Sequence, residues 1–171
     1  MKILILTGRF GMGHYAAARA LRERLCAEAP GAHCDVVDLF AEAFGGTTGL
    51  LYKAYTLFIG RGGSLFNHIY RLSDSGAGGT CIPLRPLFLR ALEHALAAQC
   101  YDAVLSVLPL TSQLMGEYKL RSGDSIPLVT CITDVCPHGD WVAPRTDAYL
   151  VAAERTRAIL TARGVPRGSI Y

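Results

Sequence analysis

Two short stretches of this sequence carry side chains that could do acid–base chemistry. The first is a glycine-rich turn, residues 8–14, which ends at His14 and leads into an alanine-rich stretch with helical spacing. The start of a helix presents free N–H groups and the positive end of the helix dipole, which disfavours an imidazolium. A neutral imidazole in this position is a candidate general base near neutral pH. We therefore predict that His14 removes a proton from a ligand; the alternative is a histidine that only caps the helix.

The second stretch is TDVCPHGDW, residues 133–141, in which Asp134 directly follows a predicted buried strand. A loop that combines an acid, a histidine and a tryptophan after a strand is typical of a ligand-binding site. We predict that Asp134 accepts a hydrogen bond from His14 or from a ligand hydroxyl. His138 and Trp141 are predicted to help orient the imidazole and to bind the ligand. The alternative for Asp134 is a turn cap, and no metal site is predicted because no second ligand stands at a suitable spacing from His138.

The glycine turn has a second interpretation, because residues 11–16 also satisfy the dinucleotide fingerprint G-x-G-x-x-A. Asp38, at the end of the next predicted strand, stands where that fingerprint places the acid that binds a ribose. A bulky imidazole at position 14 is unhelpful beneath a pyrophosphate, which favours the first interpretation. An NAD-binding oxidoreductase domain is the alternative, and tight binding of NAD in calorimetry would favour it.

Strands that alternate with helices must position these residues. Short aliphatic runs are separated by longer stretches with helical periodicity, which predicts an α/β fold: a Rossmann-like, open, mostly parallel sheet with helices on both faces. In such sheets a ligand lies beyond the carboxyl ends of the strands, so both stretches are expected at one edge. The predicted strands are residues 3–6, 33–38, 101–107, 126–132 and 147–151. One helix is predicted directly after the glycine turn, and further helices are predicted at 85–99, 112–120 and 153–163.

Residues 47–73 are unusually rich in aromatic and basic side chains. Two short helices interrupted by Gly62 and Gly63 are predicted there, and no acidic residue occurs before Asp74. Helices of this composition lie in a membrane surface or form the wall of an acyl-chain groove; the alternative is a pair of core helices. The side chains expected to contact a membrane are Tyr52, Lys53, Tyr55, Phe58, Arg61 and Phe66.

Composition narrows the classes of protein that the chain can be. Its 171 residues, 51% of them hydrophobic, are enough for one core and one domain. No apolar run approaches the roughly 18 residues of a membrane-spanning helix, and the first strand begins too early for a secretory signal. Six cysteines without a C-x-x-C pair favour free thiols in a reducing cytoplasm. The net charge of +3 is too small to indicate a nucleic-acid partner but suits a surface that meets anionic lipid.

The last eight residues, 164–171, are typical of a helix end, a turn and the first residues of another strand. A chain that stops at such a point is expected to be the first half of something longer. The alternative is a frayed natural terminus.

Four sequence segments together resemble one enzyme family. They are GRFGMGHYAAARAL at residues 8–21, LYKAYTLF at 51–58, TDVCPHGDW at 133–141 and P-x-x-D-x-Y-x-V at 144–151. The chain resembles the N-terminal half of the monogalactosyldiacylglycerol synthases and of the bacterial processive diacylglycerol glucosyltransferases, nearly end to end and in the same order. Its glycine turn is more distantly similar to that of the N-acetylglucosaminyltransferase that completes the peptidoglycan lipid precursor. One difference is Leu108, where the family often carries a histidine before the proline.

The resemblance implies that residues 1–171 form the acceptor-binding, Rossmann-like half of a GT-B glycosyltransferase. A C-terminal domain, absent here, would bind UDP-galactose or UDP-glucose, and residues 164–171 would begin the linker to it. Transfer to diacylglycerol would proceed with inversion, without a cofactor or catalytic metal in this chain, at the cytoplasmic side of a membrane. His14 is implied as the catalytic base, with Asp134 assisting it. The residues implied in acceptor or lipid binding are Phe10, Gly11, Met12, Gly13, Pro109, His138 and Trp141.

Two further alternatives to a diacylglycerol glycosyltransferase stay open in addition to the NAD interpretation. A peptidoglycan-type acceptor is a rival within the same enzyme class, and a lipid-binding module without catalysis is a rival outside it. This chain alone is expected to transfer no sugar, because the donor domain is missing. For the same reason the sequence does not choose between galactose and glucose.

Overall fold

The described part of the chain forms a five-stranded parallel sheet. The computed structural model describes residues 1–10, 12–61 and 84–171, without the side chains of residues 55 and 58–61. The strand order is β2-β1-β3-β4-β5, and every neighbouring pair is parallel. The predicted open parallel sheet is therefore confirmed. The strands are β1 Lys2–Thr7, β2 His33–Asp38, β3 Ala103–Ser106, β4 Leu128–Ile132 and β5 Ala148–Val151.

Helices connect β1 to β2, β2 to β3 and β3 to β4, as the alternating pattern predicted, whereas a loop with one 3-10 turn connects β4 to β5. They are α1 Gly13–Glu28, α2 Leu39–Phe44, α3 Thr48–Arg61, α4 Arg85–Ala97, α5 Pro109–Ser122 and α6 Glu154–Ala162. Helix α5 begins earlier than predicted because Pro109, whose ring suits the first helical position, starts it. Helix α2 was not predicted; the Asp38 side chain caps it by accepting from the Phe40 and Ala41 N–H groups. The second helix predicted within residues 47–73 lies outside the described residues.

The sheet is covered on both faces, which confirms that part of the fold prediction. Ile3 and Ile5 of β1 pack in one cluster with Ala18 of α1. Leu4 and Leu6, which point to the opposite face because side chains alternate along a strand, pack in a second cluster with residues of α2, α4 and α5. None of the helices within the described ranges combines the length and the apolar character needed to span a bilayer.

The glycine turn packs closely against core side chains where it follows β1. A Cβ atom added at Gly8 would lie 3.0 Å from the Phe40 ring and 3.3 Å from the Leu108 side chain. Only glycine fits this position without displacing one of those groups. The turn is thereby held against the carboxyl ends of β1 and β3, where the sequence analysis expected the site.

The long connection between β4 and β5 is fixed to α5. Lys119, although buried, donates to the Arg145 carbonyl at 3.0 Å and to the Asp147 carboxylate at 2.7 Å. Gly116 faces Pro144 so closely that any Cβ would collide with its carbonyl oxygen. The loop that contains the second predicted stretch therefore has a fixed position relative to the sheet.

The C-terminal residues extend the sheet beyond β5. The Tyr171 N–H donates to the Tyr149 carbonyl at 2.8 Å, and the Val151 N–H donates to the Tyr171 carbonyl at 2.9 Å. Ile170 and Tyr149 form an isolated parallel bridge. The predicted start of a further strand is confirmed, and the assignment of residues 164–171 to an interdomain linker stays a prediction.

Candidate active site

His14 lies at the carboxyl edge of the sheet, as predicted. Met12 adopts a left-handed conformation (φ 60°) that turns the chain into α1, and His14 is the second residue of that helix. The half-buried ring places Nδ1 2.8 Å from the carbonyl oxygen of Val107, just after β3. Because a carbonyl oxygen only accepts hydrogen bonds, Nδ1 carries the hydrogen and Nε2 of the neutral ring carries the lone pair. Among the described residues Nε2 has no hydrogen-bond partner.

Thr133 contacts the same ring nitrogen from the next strand. Its Oγ1 lies 3.0 Å from Nδ1 of His14, directly after the end of β4. The sequence analysis did not single out Thr133 or the Val107 carbonyl. The position of Thr133 directly after a strand could have marked it as a site residue. A backbone carbonyl such as that of Val107 has no residue type that could mark it in the sequence.

The surroundings of His14 favour the neutral imidazole. Burial lowers the pKa of His14 below its ordinary value of 6.5, while the Val107 carbonyl and the Asp134 carboxylate act in the opposite direction. The predicted direction agrees with this result, but the main cause is burial and not the helix dipole on which the prediction rested. A neutral ring with a free Nε2 is the form that a general base requires near neutral pH.

Asp134 bonds to Trp141 and not to His14. Its Oδ2 accepts from the indole N–H of Trp141 at 2.8 Å. The Asp134 charge acts to raise the pKa of His14. The Trp141 ring lies near the imidazole, with the two ring centroids 6.2 Å apart.

Trp141 is a core residue and not the exposed anchor that the sequence suggested. The 3-10 turn Gly139–Trp141 folds the indole inward, where it is 0% exposed and packs with Ile132, Tyr149 and Leu160. Its ring consequently has no free surface with which to meet a lipid. The expectation that Trp141 contacts lipid directly is therefore corrected: the indole is buried and donates to Asp134.

The other residues predicted to bind the acceptor surround the same edge. His138 is mostly buried, with Nδ1 3.5 Å from the Asp140 carboxylate. The Gln113 side chain of α5 donates to the Asp140 carbonyl at 2.7 Å, which ties this loop to the helix that Pro109 begins. Met12 is exposed, whereas Gly11 lies outside the described residues. The binding roles of His138, Pro109 and the glycine turn stay predictions.

The carboxylate of Asp38, the candidate ribose ligand, is already bonded to other groups of the protein. Its carboxylate side chain is 7% exposed, accepts from the N–H groups that begin α2 and accepts from the Tyr52 hydroxyl at 2.7 Å. The Arg9 Nε lies 3.5 Å from the same carboxylate, and the Arg9 N–H donates to the Tyr52 hydroxyl at 3.0 Å. A dinucleotide site needs this acid for the ribose hydroxyls. The geometry therefore argues against the NAD interpretation.

Tyr52 and Phe10 join α3 to the glycine turn. The Phe10 ring packs edge-on against Phe40 and Tyr52, with centroids 4.4 Å and 4.9 Å apart. Tyr52, predicted to contact a membrane, thus faces the glycine turn, while Lys53 on the same helix is exposed. The remaining predicted membrane contacts (Tyr55, Phe58, Arg61 and Phe66) have side chains outside the described part of the chain.

A cavity of about 760 Å³ lies between the glycine turn and α3. This volume falls in the range of small-molecule sites. The exposed face of α3 beside it carries Leu50 and Leu57, which are 73% and 64% exposed. Within the described ranges no group of three or more His, Cys, Asp or Glu side chains could hold a metal ion. The cavity is lined by Arg9, Met12, Tyr52, Lys53, Thr56 and Leu57.

The fold and the site together define a Rossmann-like domain with a candidate acid–base residue at the carboxyl edge of its sheet. The whole chain superposes on 44% of a solved structure described as "lipopolysaccharide outer core galactosyltransferase WaaB apo form", with a TM-score of 0.65. At 13% sequence identity, this likeness supports the fold alone. The chain belongs to the monogalactosyldiacylglycerol (MGDG) synthase family, whose model matches residues 14–171. The resemblance found in the sequence is thereby confirmed.

Two curated relatives carry the same name, processive diacylglycerol beta-glucosyltransferase. The protein of Bacillus cytotoxicus is 30% identical over 174 residues, which are 96% of this chain and 42% of the relative. The protein of Bacillus thuringiensis strain Al Hakam is 29% identical over 177 residues, 99% of this chain and 43% of the relative. The chain thus spans less than half the length of these relatives.

Proposed function

We propose that this chain is the acceptor-binding half of a diacylglycerol glycosyltransferase that uses a UDP-sugar, either UDP-galactose or UDP-glucose. One observation carries the proposal: the Val107 carbonyl fixes the hydrogen of His14 on Nδ1, which leaves Nε2 basic and without a partner among the described residues. Membership of the MGDG synthase family supports the acceptor class. The names of the two Bacillus proteins support it as well.

In the proposed reaction Nε2 of His14 takes the proton from the primary hydroxyl of diacylglycerol. The hydroxyl oxygen forms a bond to the anomeric carbon of the hexose as the bond from that carbon to the phosphate oxygen breaks. UDP leaves with the bonding electrons, and the configuration at the anomeric carbon inverts. General-base assistance of this kind contributes about 100-fold to 10,000-fold to a rate. The donor would be bound by a C-terminal domain outside this chain.

The acceptor would reach His14 from a membrane surface. Diacylglycerol resides in a bilayer, so the enzyme must approach the bilayer, and we propose that it does so as a peripheral protein on the cytoplasmic side. The exposed Leu50 and Leu57 of α3 offer apolar contacts, and Lys53 between them offers a charge that attracts anionic lipid. The cavity beside this face leads along α3 to Met12 of the glycine turn.

The test is the substitution His14→Ala in the full-length protein with its donor domain. Transfer of labelled hexose from UDP-glucose or UDP-galactose to diacylglycerol vesicles is measured. We expect a loss of about 100-fold to 10,000-fold in kcat in a protein that remains folded. His33→Ala is the matched control, because His33 is an exposed histidine at the opposite end of the sheet. Activity of His14→Ala within a few-fold of the parent would exclude His14 as the base.

A further inference from the structure

We infer that Thr133 is a positioning residue for the reaction proposed above: together with the Val107 carbonyl, its hydroxyl holds the Nδ1–H of His14 and so keeps Nε2 as the proton-accepting nitrogen. The inference rests on the proposed function for its catalytic meaning. The contact between Thr133 and His14 can be tested independently of that function.

The two contacts share a single ring hydrogen. Val107 O lies 2.8 Å and Thr133 Oγ1 lies 3.0 Å from Nδ1 of His14, and both oxygens can accept the Nδ1–H in a three-centre hydrogen bond. The second torsion of a histidine side chain is intrinsically broad, so one acceptor alone leaves the ring free to swing. Two acceptors that come from neighbouring strands restrict that swing and define the ring plane.

A buried hydroxyl cluster joins the two strands that lead to these acceptors. The Ser112 hydroxyl of α5 donates to the Ser106 hydroxyl at 2.8 Å, and Ser106 donates to the Leu108 carbonyl at 3.1 Å. The Thr130 hydroxyl of β4 donates to Ser112 at 3.1 Å. Ser106, Ser112 and Thr130 are all 0% exposed. The end of β3, the first turns of α5 and the middle of β4 are therefore joined by buried hydrogen bonds.

Thr133 also suits the charged state of the base. When Nε2 takes a proton, the Nδ1–H remains bonded to two oxygen acceptors, and hydrogen bonds to the charged form of a group stabilise that form. The charged side chain that acts on His14 is Asp134, which is held by the Trp141 indole and favours the imidazolium as well. Thr133 is exposed, so replacing its hydroxyl does not disturb the core.

The experiment compares Thr133→Val with Thr133→Ser in the full-length protein. Valine has nearly the same shape without the hydroxyl, whereas serine keeps the hydroxyl. Histidine-selective isotope labelling gives the tautomer and the pKa of His14 by NMR, with His14→Gln assigning the signal. Kinetics against pH give kcat and KM on the same samples. Thr161→Val is the control, because Thr161 is an exposed threonine of α6 whose hydroxyl bonds only its own helix.

We expect Thr133→Val to lower the pKa of His14, because the imidazolium loses one of the two acceptors of its Nδ1–H, while the Val107 carbonyl keeps the hydrogen on Nδ1. We also expect it to reduce kcat about 10-fold to 100-fold, the value of one hydrogen bond to a charged group, with KM unchanged. The acid limb of kcat/KM should move to lower pH, because the base then loses its proton at a lower pH. Thr133→Ser and Thr161→Val should match the parent protein.

Three results would overturn the inference. An unchanged pKa of His14 in Thr133→Val would show that the hydroxyl does not hold the ring. An equal loss in Thr133→Ser would show that shape and not the hydroxyl matters. An unchanged kcat in Thr133→Val, while His14→Ala is inactive, would remove Thr133 from the reaction. If instead the NMR changes occur and His14→Ala stays active, the contact stands and the proposed function fails.

Discussion

Two polar clusters lie at the carboxyl edge of the sheet, and they differ in how completely they are paired. In the Asp38 cluster, formed by Arg9, Asp38 and Tyr52, the carboxylate accepts from backbone N–H groups and from a hydroxyl and faces a guanidinium. In the His14 cluster, formed by His14, Val107 and Thr133, one ring nitrogen is held twice and the other has no partner among the described residues. A saturated cluster stabilises the fold, whereas an unsaturated one is available to a ligand.

The pKa values follow the same division. Burial raises the pKa of the Tyr52 hydroxyl, and the nearby Asp38 carboxylate acts in the same direction, so the hydroxyl keeps its proton as a donor. Burial instead lowers the pKa of His14, so the imidazole is ready to accept a proton. One environment keeps a hydroxyl protonated and paired, and the other keeps an imidazole neutral and able to accept a proton.

The largest expected effect is on stability, from Asp38→Ala. This change removes the cap of α2 and leaves the Tyr52 hydroxyl and the Arg9 side chain without their acceptor. We expect the free energy of unfolding to fall by about 2–4 kcal/mol in urea titrations. Asp124→Ala is the control, because Asp124 accepts the Ile126 N–H at an exposed turn. A loss as small as that of the control would mean that the Asp38 cluster is not a structural element.

A smaller effect is expected from Tyr52→Phe, which keeps the ring contact with Phe10 and removes only the hydroxyl. The Asp38 carboxylate keeps its other donors, so we expect a loss of about 1 kcal/mol in the free energy of unfolding. Tyr118→Phe serves as the reference, since the Tyr118 hydroxyl makes an exposed contact of 3.4 Å with Asp124. Equal losses in the two variants would contradict the distinction between a paired cluster and the surface.

The smallest effect on stability is expected from His14→Gln, about 0.5 kcal/mol at pH 8, because the amide can still donate to Val107. The dependence on pH should differ more. With a folded pKa below the unfolded value of 6.5, His14 binds more protons when unfolded, so the protein loses stability as the pH falls below about 6.5. The variant lacks this contribution, and its unfolding free energy should fall less between pH 7 and pH 5. Identical slopes would show that burial does not disfavour the imidazolium.

The sequence was informative wherever the signal was local. The aliphatic run that begins at Ile3, the glycine turn and the helix after it predicted the element that carries His14, and the structure has that element. Family motifs then predicted the fold and the family that the comparisons confirmed. Helix α2 was missed because six residues give too short a pattern, although Asp38 before Leu39 was a capping signal.

The sequence was misleading where the result depends on how a loop folds back on itself. Trp141 was interpreted as exposed because it lies in a loop, but the loop turns back and buries it between β4, β5 and α6. Asp134 was paired with His14 because both were expected at one edge, yet the indole N–H lies closer to its oxygen. Burial and hydrogen-bond choice depend on how elements pack, which residue patterns do not encode.

By itself the sequence determined that a histidine begins the first helix above a parallel sheet, because strand length, glycine positions and helical spacing are properties of neighbouring residues. The tertiary structure alone decided that Val107 and Thr133, which are 93 and 119 residues away from His14, hold its Nδ1. It likewise decided that the Asp38 carboxylate accepts a hydrogen bond from Tyr52 and pairs with Arg9. Strand register brings these groups together, and register is fixed only when the whole sheet assembles.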